Sequence, residues 1–181
     1  MRNLYLFLGL GFLLSCSNSQ EEKNTAKSVY SRYFDSQIDT LLLQDMGVLK
    51  HTTEGEEVEQ VQLDSMTDER WRQELRGFLN AVYVDTGDTA NYFYALDQSG
   101  KFQIRRLIAK DTLAPLQRWE EMRVNGAIQI ITWETQKRSV LIDRRVEMTY
   151  QPLKGYRIRM REDAAWARPR SYEIFAEFTE K

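Results

Sequence analysis

The feature that most constrains the fold is an alternation of apolar and polar residues that begins near Asn91 and continues almost to the end of the chain. A period of two is typical of β-strands, because successive side chains of a strand point to opposite faces of a sheet. Short turn sequences interrupt the alternation, and Asn125-Gly126 is the strongest short-range signal of a hairpin among them. Seven strands joined in sequence by such turns predict an antiparallel meander.

Two segments before the alternation have the period of an α-helix. The apolar face of the first ends near Gly47 and consists of Ala26, Tyr30, Tyr33, Phe34, Ile38, Leu41 and Leu42. The second begins at Ser65 or Thr67, and its apolar face consists of Trp71, Leu75, Phe78, Leu79 and Val82. Between them, two alternating segments around Glu54-Gly55 predict a hairpin. The predicted fold class is α+β: an antiparallel meander of about seven to nine strands with two helices packed on one face.

The first sixteen residues have the pattern of a secretory signal. Met1-Arg2-Asn3 is positively charged, and the apolar run that follows is shorter than the roughly 20 residues of a membrane anchor. Leu13-Leu14-Ser15-Cys16 closes the run and resembles the bacterial lipobox. The resemblance implies lipidation of Cys16 and cleavage after Ser15, so that acyl chains would hold the protein on a membrane. The alternative is a plain secretory or anchored segment in which Cys16 has no role.

These boundaries predict a signal peptide at 1–15, a flexible tether at 16–25 and a single α+β domain at 26–181. Ser17 stands where Asp would resemble an inner-membrane retention signal of enteric bacteria. Gln20-Glu21-Glu22 resembles the acidic export signals of Bacteroidota surface lipoproteins, although a merely solvating linker would have the same composition. We therefore expect a lipid-anchored protein of the outer membrane, with the periplasmic and the surface-exposed leaflet both open.

Several short motifs along the predicted domain resemble a family of uncharacterised Bacteroidota cell-envelope lipoproteins. The motifs are Tyr33-Phe34-Asp35, Trp71-Arg72-Gln73-Glu74-Leu75 with Phe78, Tyr150-Gln151-Pro152 before Gly155-Tyr156-Arg157-Ile158, and Tyr172-Glu173-Ile174. The likeness extends over most of the chain after the leader. It implies an α+β lipoprotein and carries no activity or site residue with it.

The residues of the chain offer little catalytic chemistry. One Cys and one His leave few metal sites and no internal disulfide, so we expect no metal and no cofactor. His51 lies among glutamates, where a metal or acid-base site and an exposed strand histidine are both conceivable. Adjacent carboxylates such as Glu120 and Glu121 would point to opposite faces of a strand and could not share a substrate. We expect no catalytic residues and no enzymatic activity.

Charge is unevenly distributed along the chain, although its sum is only -2 and predicts no nucleic-acid binding. Residues 16–100 hold seven basic and sixteen acidic residues, whereas residues 101–181 hold seventeen and eleven. The alternation places Arg157, Arg159 and Arg161 in a row away from the core, and we expect Arg118 and Arg144 to join it. Such a row suits an anionic envelope component or an acidic protein. The alternative is cross-strand pairing of these arginines with Glu120, Glu134, Glu147, Glu173 and Glu177.

These observations favour a non-enzymatic binding or interaction module that is anchored to the cell envelope and whose partner is unknown. The alternative is a carrier of a lipid or another apolar ligand, because a long meander covered by two helices resembles the half-barrels of lipoprotein carriers. Aromatic residues make up 12% of the chain and could line such a cavity, although they more often fill a core.

Overall fold

The computed structural model of the protein describes residues 29–81 and 90–180. Cys16, the predicted signal peptide and tether, Ala26 and Val82 lie outside the described residues. The elements are α1 (Val29–Leu43), β1 (Gly47–Glu54), β2 (Glu57–Leu63), α2 (Asp68–Glu74), α3 (Arg76–Leu79), β3 (Tyr92–Ser99), β4 (Phe102–Ala109), β5 (Leu116–Val124), β6 (Ala127–Arg138), β7 (Ile142–Gln151), β8 (Gly155–Ala164) and β9 (Arg170–Thr179). Within these two ranges, no helix has the length and apolar character needed to cross a bilayer.

The nine strands of the described residues form one sheet in which every neighbouring pair runs antiparallel. The strand order is β2-β1-β9-β8-β7-β6-β5-β4-β3. Strands β3 to β9 therefore make the seven-stranded meander that the alternation predicts. The β1–β2 hairpin adds to the β9 end of this meander. The described residues are mostly β: an open antiparallel sheet with three short helices.

Within residues 29–81 and 90–180, the prediction of two helices is corrected to three, because the second predicted helix is divided at Leu75. Thr67 is the N-cap of α2, and its side chain accepts a hydrogen bond of 3.3 Å from the Arg70 backbone N–H. Gly77 lies two residues after the break, inside α3, and glycine weakens a helix because it loses more backbone freedom on folding than any other residue. The stripe of apolar residues is continuous across the break, so periodicity alone could not reveal it.

Two turns use backbone conformations that their sequences favour. Asn125 and Gly126 connect β5 to β6 with φ angles of 51° and 81°, the positive values that a two-residue type I′ hairpin turn requires. Gly155 begins β8 with a φ of 142°. A Cβ atom at this position would lie 2.0 Å from the carbonyl oxygen of Ala176, so glycine permits the close approach of β8 to β9.

One face of the sheet, here called the aromatic face, carries a packed core. Its large aromatic side chains are Trp119, Trp133, Tyr150, Tyr156 and Phe178, all of them buried. Helical rings contact them at centroid distances of 5.7 Å for Tyr30 and Trp119, 4.8 Å for Phe34 and Tyr150, 5.2 Å for Trp71 and Phe178, and 5.8 Å for Phe78 and Trp133. The opposite face, here called the arginine face, carries Arg157, Arg159 and Arg161.

Candidate functional site

The arginine face presents three cationic side chains from one strand. Arg157, Arg159 and Arg161 alternate along β8 with Tyr156 and the half-buried side chains that follow it. The three arginine side chains are 44%, 50% and 69% exposed, respectively. Their Cα atoms are separated by two residues, or about 6.6 Å along the strand. The row that the alternation predicts therefore exists as a geometric feature.

The strand register determines which other arginines share this face. Arg118 does, because the pairing runs from Arg118 on β5 to Glu134, Glu147 and Arg159 on β6, β7 and β8. Arg144 does not, because it stands opposite Glu162 and shares the parity of the aromatic face.

The residue of β7 that joins the row is instead Arg145, which pairs with Arg161. The expectation for Arg144 is corrected. Arg144 and Arg145 are adjacent and therefore point to opposite faces of the sheet. The pairing of β7 with β8 determines which of the two lies on the arginine face, and the sequence alone does not give this pairing.

Carboxylates from neighbouring positions pair with each of these five arginines. The Arg157 and Arg159 Nε atoms lie 3.1 Å and 3.3 Å from the same oxygen, Oε1 of Glu173. Arg145 pairs with Glu134 at 3.5 Å. Two further pairs join residues two positions apart in the same strand: Arg161 with Asp163 at 3.3 Å, and Arg118 with Glu120 at 2.7 Å. Exposed pairs of this kind contribute only about 0–1 kcal/mol each, so they hold the arginines loosely.

The alternative expectation, that glutamates of neighbouring strands pair with these arginines, therefore describes part of the arginine face. Glu120, Glu134 and Glu173 form ion pairs, whereas no ion pair within the described ranges involves Glu147 or Glu177. Three like-charged pairs on this face also stand directly opposite one another, Glu134 with Glu147, Asp143 with Asp163, and Arg145 with Arg161. Like charges in that position destabilise a sheet, so this face carries an arrangement that stability alone does not favour.

Shallow grooves connect these residues. One of about 370 Å³ is lined by Thr149, Arg157 and Phe175, among others, and a second of about 310 Å³ is lined by Arg145, Arg161 and further residues. Glu147 and Arg159 line both grooves. The two grooves thus adjoin, and together they form one depression over β7, β8 and β9.

A stack of flat groups borders this depression. The guanidinium of Arg157 lies 5.0 Å from the ring centroid of Phe175, and the His51 ring stacks on the other side at 6.4 Å with an interplanar angle of 27°. A cation–π contact at an exposed site contributes about 0.5–1 kcal/mol and helps to orient Arg157. His51 is thus a neighbour of the arginine face. Within residues 29–81 and 90–180, no group of three His, Cys, Asp or Glu side chains could hold a metal ion.

Sequence reasoning missed the most buried charge of the described residues. Glu121 is fully buried on the aromatic side, while Glu120 faces the other way and bonds to Arg106. The Tyr30 hydroxyl donates to Glu121 Oε2 at 2.5 Å, and Arg123 Nε donates to Oε1 at 2.6 Å. Burial first, and then the Glu121 charge, raise the pKa of Tyr33 above its ordinary value. No local signal distinguishes Glu121 from Glu120, because burial follows from the register.

A second half-buried cluster joins β1, α2 and β8. Lys50 Nζ donates to both carboxylate oxygens of Glu74, at 2.8 Å and 2.9 Å, and the Tyr156 hydroxyl donates to the same carboxylate. Burial and the negative charge of Glu74 raise the pKa of Tyr156 above its ordinary value. Because the Glu74 carboxylate is already bound by a cation and a hydroxyl, we interpret this cluster as a structural contact that joins β1, α2 and β8.

Comparison with known proteins adds no family to these observations: no protein-family model matches the chain, and no curated protein matches it significantly.

Proposed function

We propose that the protein is a lipid-anchored binding module of the cell envelope and that its arginine face receives an anionic partner. In this proposal Cys16 carries the acyl chains, the outer membrane is the site of attachment, and the protein performs no chemical step. The partner is an acidic component of the envelope or an acidic protein surface. The leaflet of the membrane is left open by this proposal.

The difference between the two faces of the sheet supports this proposal: one carries packed aromatic rings and the other carries exposed arginines. We propose that the helices cover the aromatic face, because the rings of Phe34, Phe78, Trp133 and Tyr150 meet there at centroid distances of 4.8–6.0 Å. An apolar ligand would need that space, so we rank the carrier alternative second. The uncovered arginine face is then the surface available to a partner.

The single observation that carries the proposal is the sharing of one carboxylate by two guanidinium groups. Arg157 and Arg159 both lie against Oε1 of Glu173, while Glu147, which stands opposite Arg159, forms no ion pair within the described residues. The two arginine side chains are 44% and 50% exposed, so an anionic group from a partner can bind their remaining donors. Guanidinium groups suit this task because their planar donors match carboxylate and phosphate oxygens in pairs.

Binding to a cell-envelope extract tests the arginine face. We expect the triple variant Arg157→Gln, Arg159→Gln and Arg161→Gln to lose partners that the wild type retains. The loss should diminish as added salt shortens the Debye length below about 10 Å. The single variant Arg144→Gln is the matched control, since Arg144 is similarly exposed but lies on the other face.

Urea unfolding of each variant shows whether folding is intact, and loss of exposed pairs should cost only about 0–1 kcal/mol per pair. Identical partners for wild type and the triple variant would contradict the proposed role of the arginine face. Equal losses in the triple variant and in Arg144→Gln would also contradict it, because they would indicate a general effect of charge.

The lipid anchor has its own test. Replacement of Cys16 by Ser should abolish incorporation of labelled fatty acid and leave the protein uncleaved or soluble. The binding experiment with purified protein does not depend on the acyl chains, so the two parts of the proposal can fail separately. Unchanged labelling of the Cys16→Ser variant would contradict the anchor.

A further inference from the structure

The β3 edge of the sheet is exposed from Phe93 to Ser99. β3 is the last strand of the sheet, and no strand of the described residues lies beyond it. The Lys110 backbone N–H donates to the Asn91 carbonyl at 2.9 Å, which shows that odd-numbered residues of β3 turn their main chain toward β4. Because the direction alternates along an antiparallel strand, Tyr94 and Leu96 turn their main-chain groups outward.

Apolar side chains on both faces accompany this open edge. Phe93, on the face shared with the arginine row, is 62% exposed, and Tyr94 and Leu96, on the other face, are 40% and 48% exposed. Long apolar edge strands are pairing templates that soluble proteins usually protect with charges, bulges or a cover. The opposite edge has such protection, because β2 carries Glu57 and Glu59.

We propose that two copies of this chain join at β3 to form one continuous antiparallel sheet, with the two-fold axis at Tyr94. Tyr94 then stands opposite Tyr94 of the second copy. In this register Leu96 faces Tyr92 of the second copy, Phe93 faces Ala95, and Asp97 faces Asn91. The outward main-chain groups of the two Tyr94 residues gain partners. The apolar stretch of β3 meets another apolar stretch on both faces of the sheet.

Charge favours a second copy as the occupant of this edge. Asp97 is the one charged residue of β3, and Arg106 on β4 already pairs with it. Self-pairing therefore sets no like charges opposite one another. Pairing of two β2 edges would bring Glu57 and Glu59 against the same residues of the other copy, which destabilises a sheet. Pairing of β3 with β2 would be heterologous and open-ended, whereas self-pairing of β3 closes after two copies.

The size of the contact predicts a weak dimer. With about 200 Å² for each large side chain, the exposed fractions of Phe93, Tyr94 and Leu96 amount to about 300 Å² per copy. A stable protein interface buries about 800 Å² per partner. Dimerisation should therefore be concentration-dependent, and confinement of the chains to a membrane surface would promote it. Only this enhancement rests on the proposed anchor; the pairing itself does not.

Disulfide trapping in the full chain tests both the pairing and its register. In the proposed register the Cα atoms of the two Tyr94 residues lie about 5.5 Å apart, a distance that a disulfide spans. The Cα atoms of the two Leu96 residues lie about 14 Å apart, which a disulfide cannot span. Under mild oxidation of membranes or of the purified chain at high concentration, Tyr94→Cys should give about tenfold more disulfide-linked dimer than Leu96→Cys.

The wild-type protein has one cysteine, Cys16, and serves as the control for background cross-linking through that residue. Adding Phe93→Lys to Tyr94→Cys should abolish the trapped dimer, because it places a cation on each copy at the seam. Far-ultraviolet circular dichroism verifies that the double variant is folded. Equal trapping of Tyr94→Cys and Leu96→Cys, a monomer at every concentration, or a ladder of species larger than a dimer would each overturn the proposal. None of these outcomes depends on whether the arginine face binds a partner.

Discussion

The adjacent carboxylates Glu120 and Glu121 provide a quantitative test of how the register determines stability. Glu121 has a 1% exposed side chain and accepts hydrogen bonds from Tyr30 and Arg123. Its neighbour Glu120 is 27% exposed and pairs with arginines that are themselves partly in water. Substitution by Gln keeps the size and shape of either side chain and removes its charge. The two substitutions are therefore matched except for the face of the sheet on which they act.

We expect Glu121→Gln to destabilise the protein strongly. Breaking a buried ion pair costs about 3–5 kcal/mol when the remaining charge stays buried. The Arg123 side chain is 28% exposed and can regain some hydration, which places the expected loss at about 2–4 kcal/mol. Glu120→Gln removes exposed pairs and should cost only about 0–1 kcal/mol.

Urea unfolding followed by tryptophan fluorescence measures both values, with the free energy of unfolding in water obtained by linear extrapolation. Trp119 neighbours both positions in sequence and reports on the packing of this region. Equal losses for the two variants, or a loss below about 1 kcal/mol for Glu121→Gln, would refute the reasoning, because the buried pair would then contribute no more than a surface pair.

Three further perturbations follow from the same packing. Trp71→Ala should lower the free energy of unfolding by about 3–5 kcal/mol, since Trp71 is fully buried against Phe178, and urea unfolding measures this. Gly155→Ala should cost at least about 1–3 kcal/mol, because its Cβ would meet the Ala176 carbonyl oxygen, and the melting temperature should fall accordingly. Burial raises the pKa of Tyr150, so its neutral form contributes stability that is complete below about pH 10 and is lost as the pH rises further. Ultraviolet titration of the Tyr150→Phe variant should therefore show one tyrosine fewer that ionises late.

Local sequence predicts the features that depend on neighbouring residues. Asn125-Gly126 predicts its hairpin, because the required positive φ angles are properties of those two residues. The alternation from Tyr156 to Arg161 predicts which side chains of β8 share a face, because a strand has a period of two wherever it lies. The seven-stranded meander follows from the same period combined with short turns.

The remaining features depend on contacts between distant residues. The choice of Arg145 over Arg144 is decided by pairing of β7 with β8, and a shift of one residue would reverse it. Attachment of β1 to β9 joins the beginning and the end of the described chain, which no local period encodes. The pairing of Glu121 with Tyr30 likewise joins residues 91 positions apart.

Site-specific photocross-linking in living cells tests most directly whether the arginine face contacts the partner. A photoreactive side chain is placed at position 145 in one variant and at position 144 in another. The two arginines are adjacent, 56% and 46% exposed, and directed to opposite faces of β7. We predict adducts with an envelope component from position 145 and none from position 144. Adducts from position 144 alone, or the same adducts from both positions, would contradict the claim.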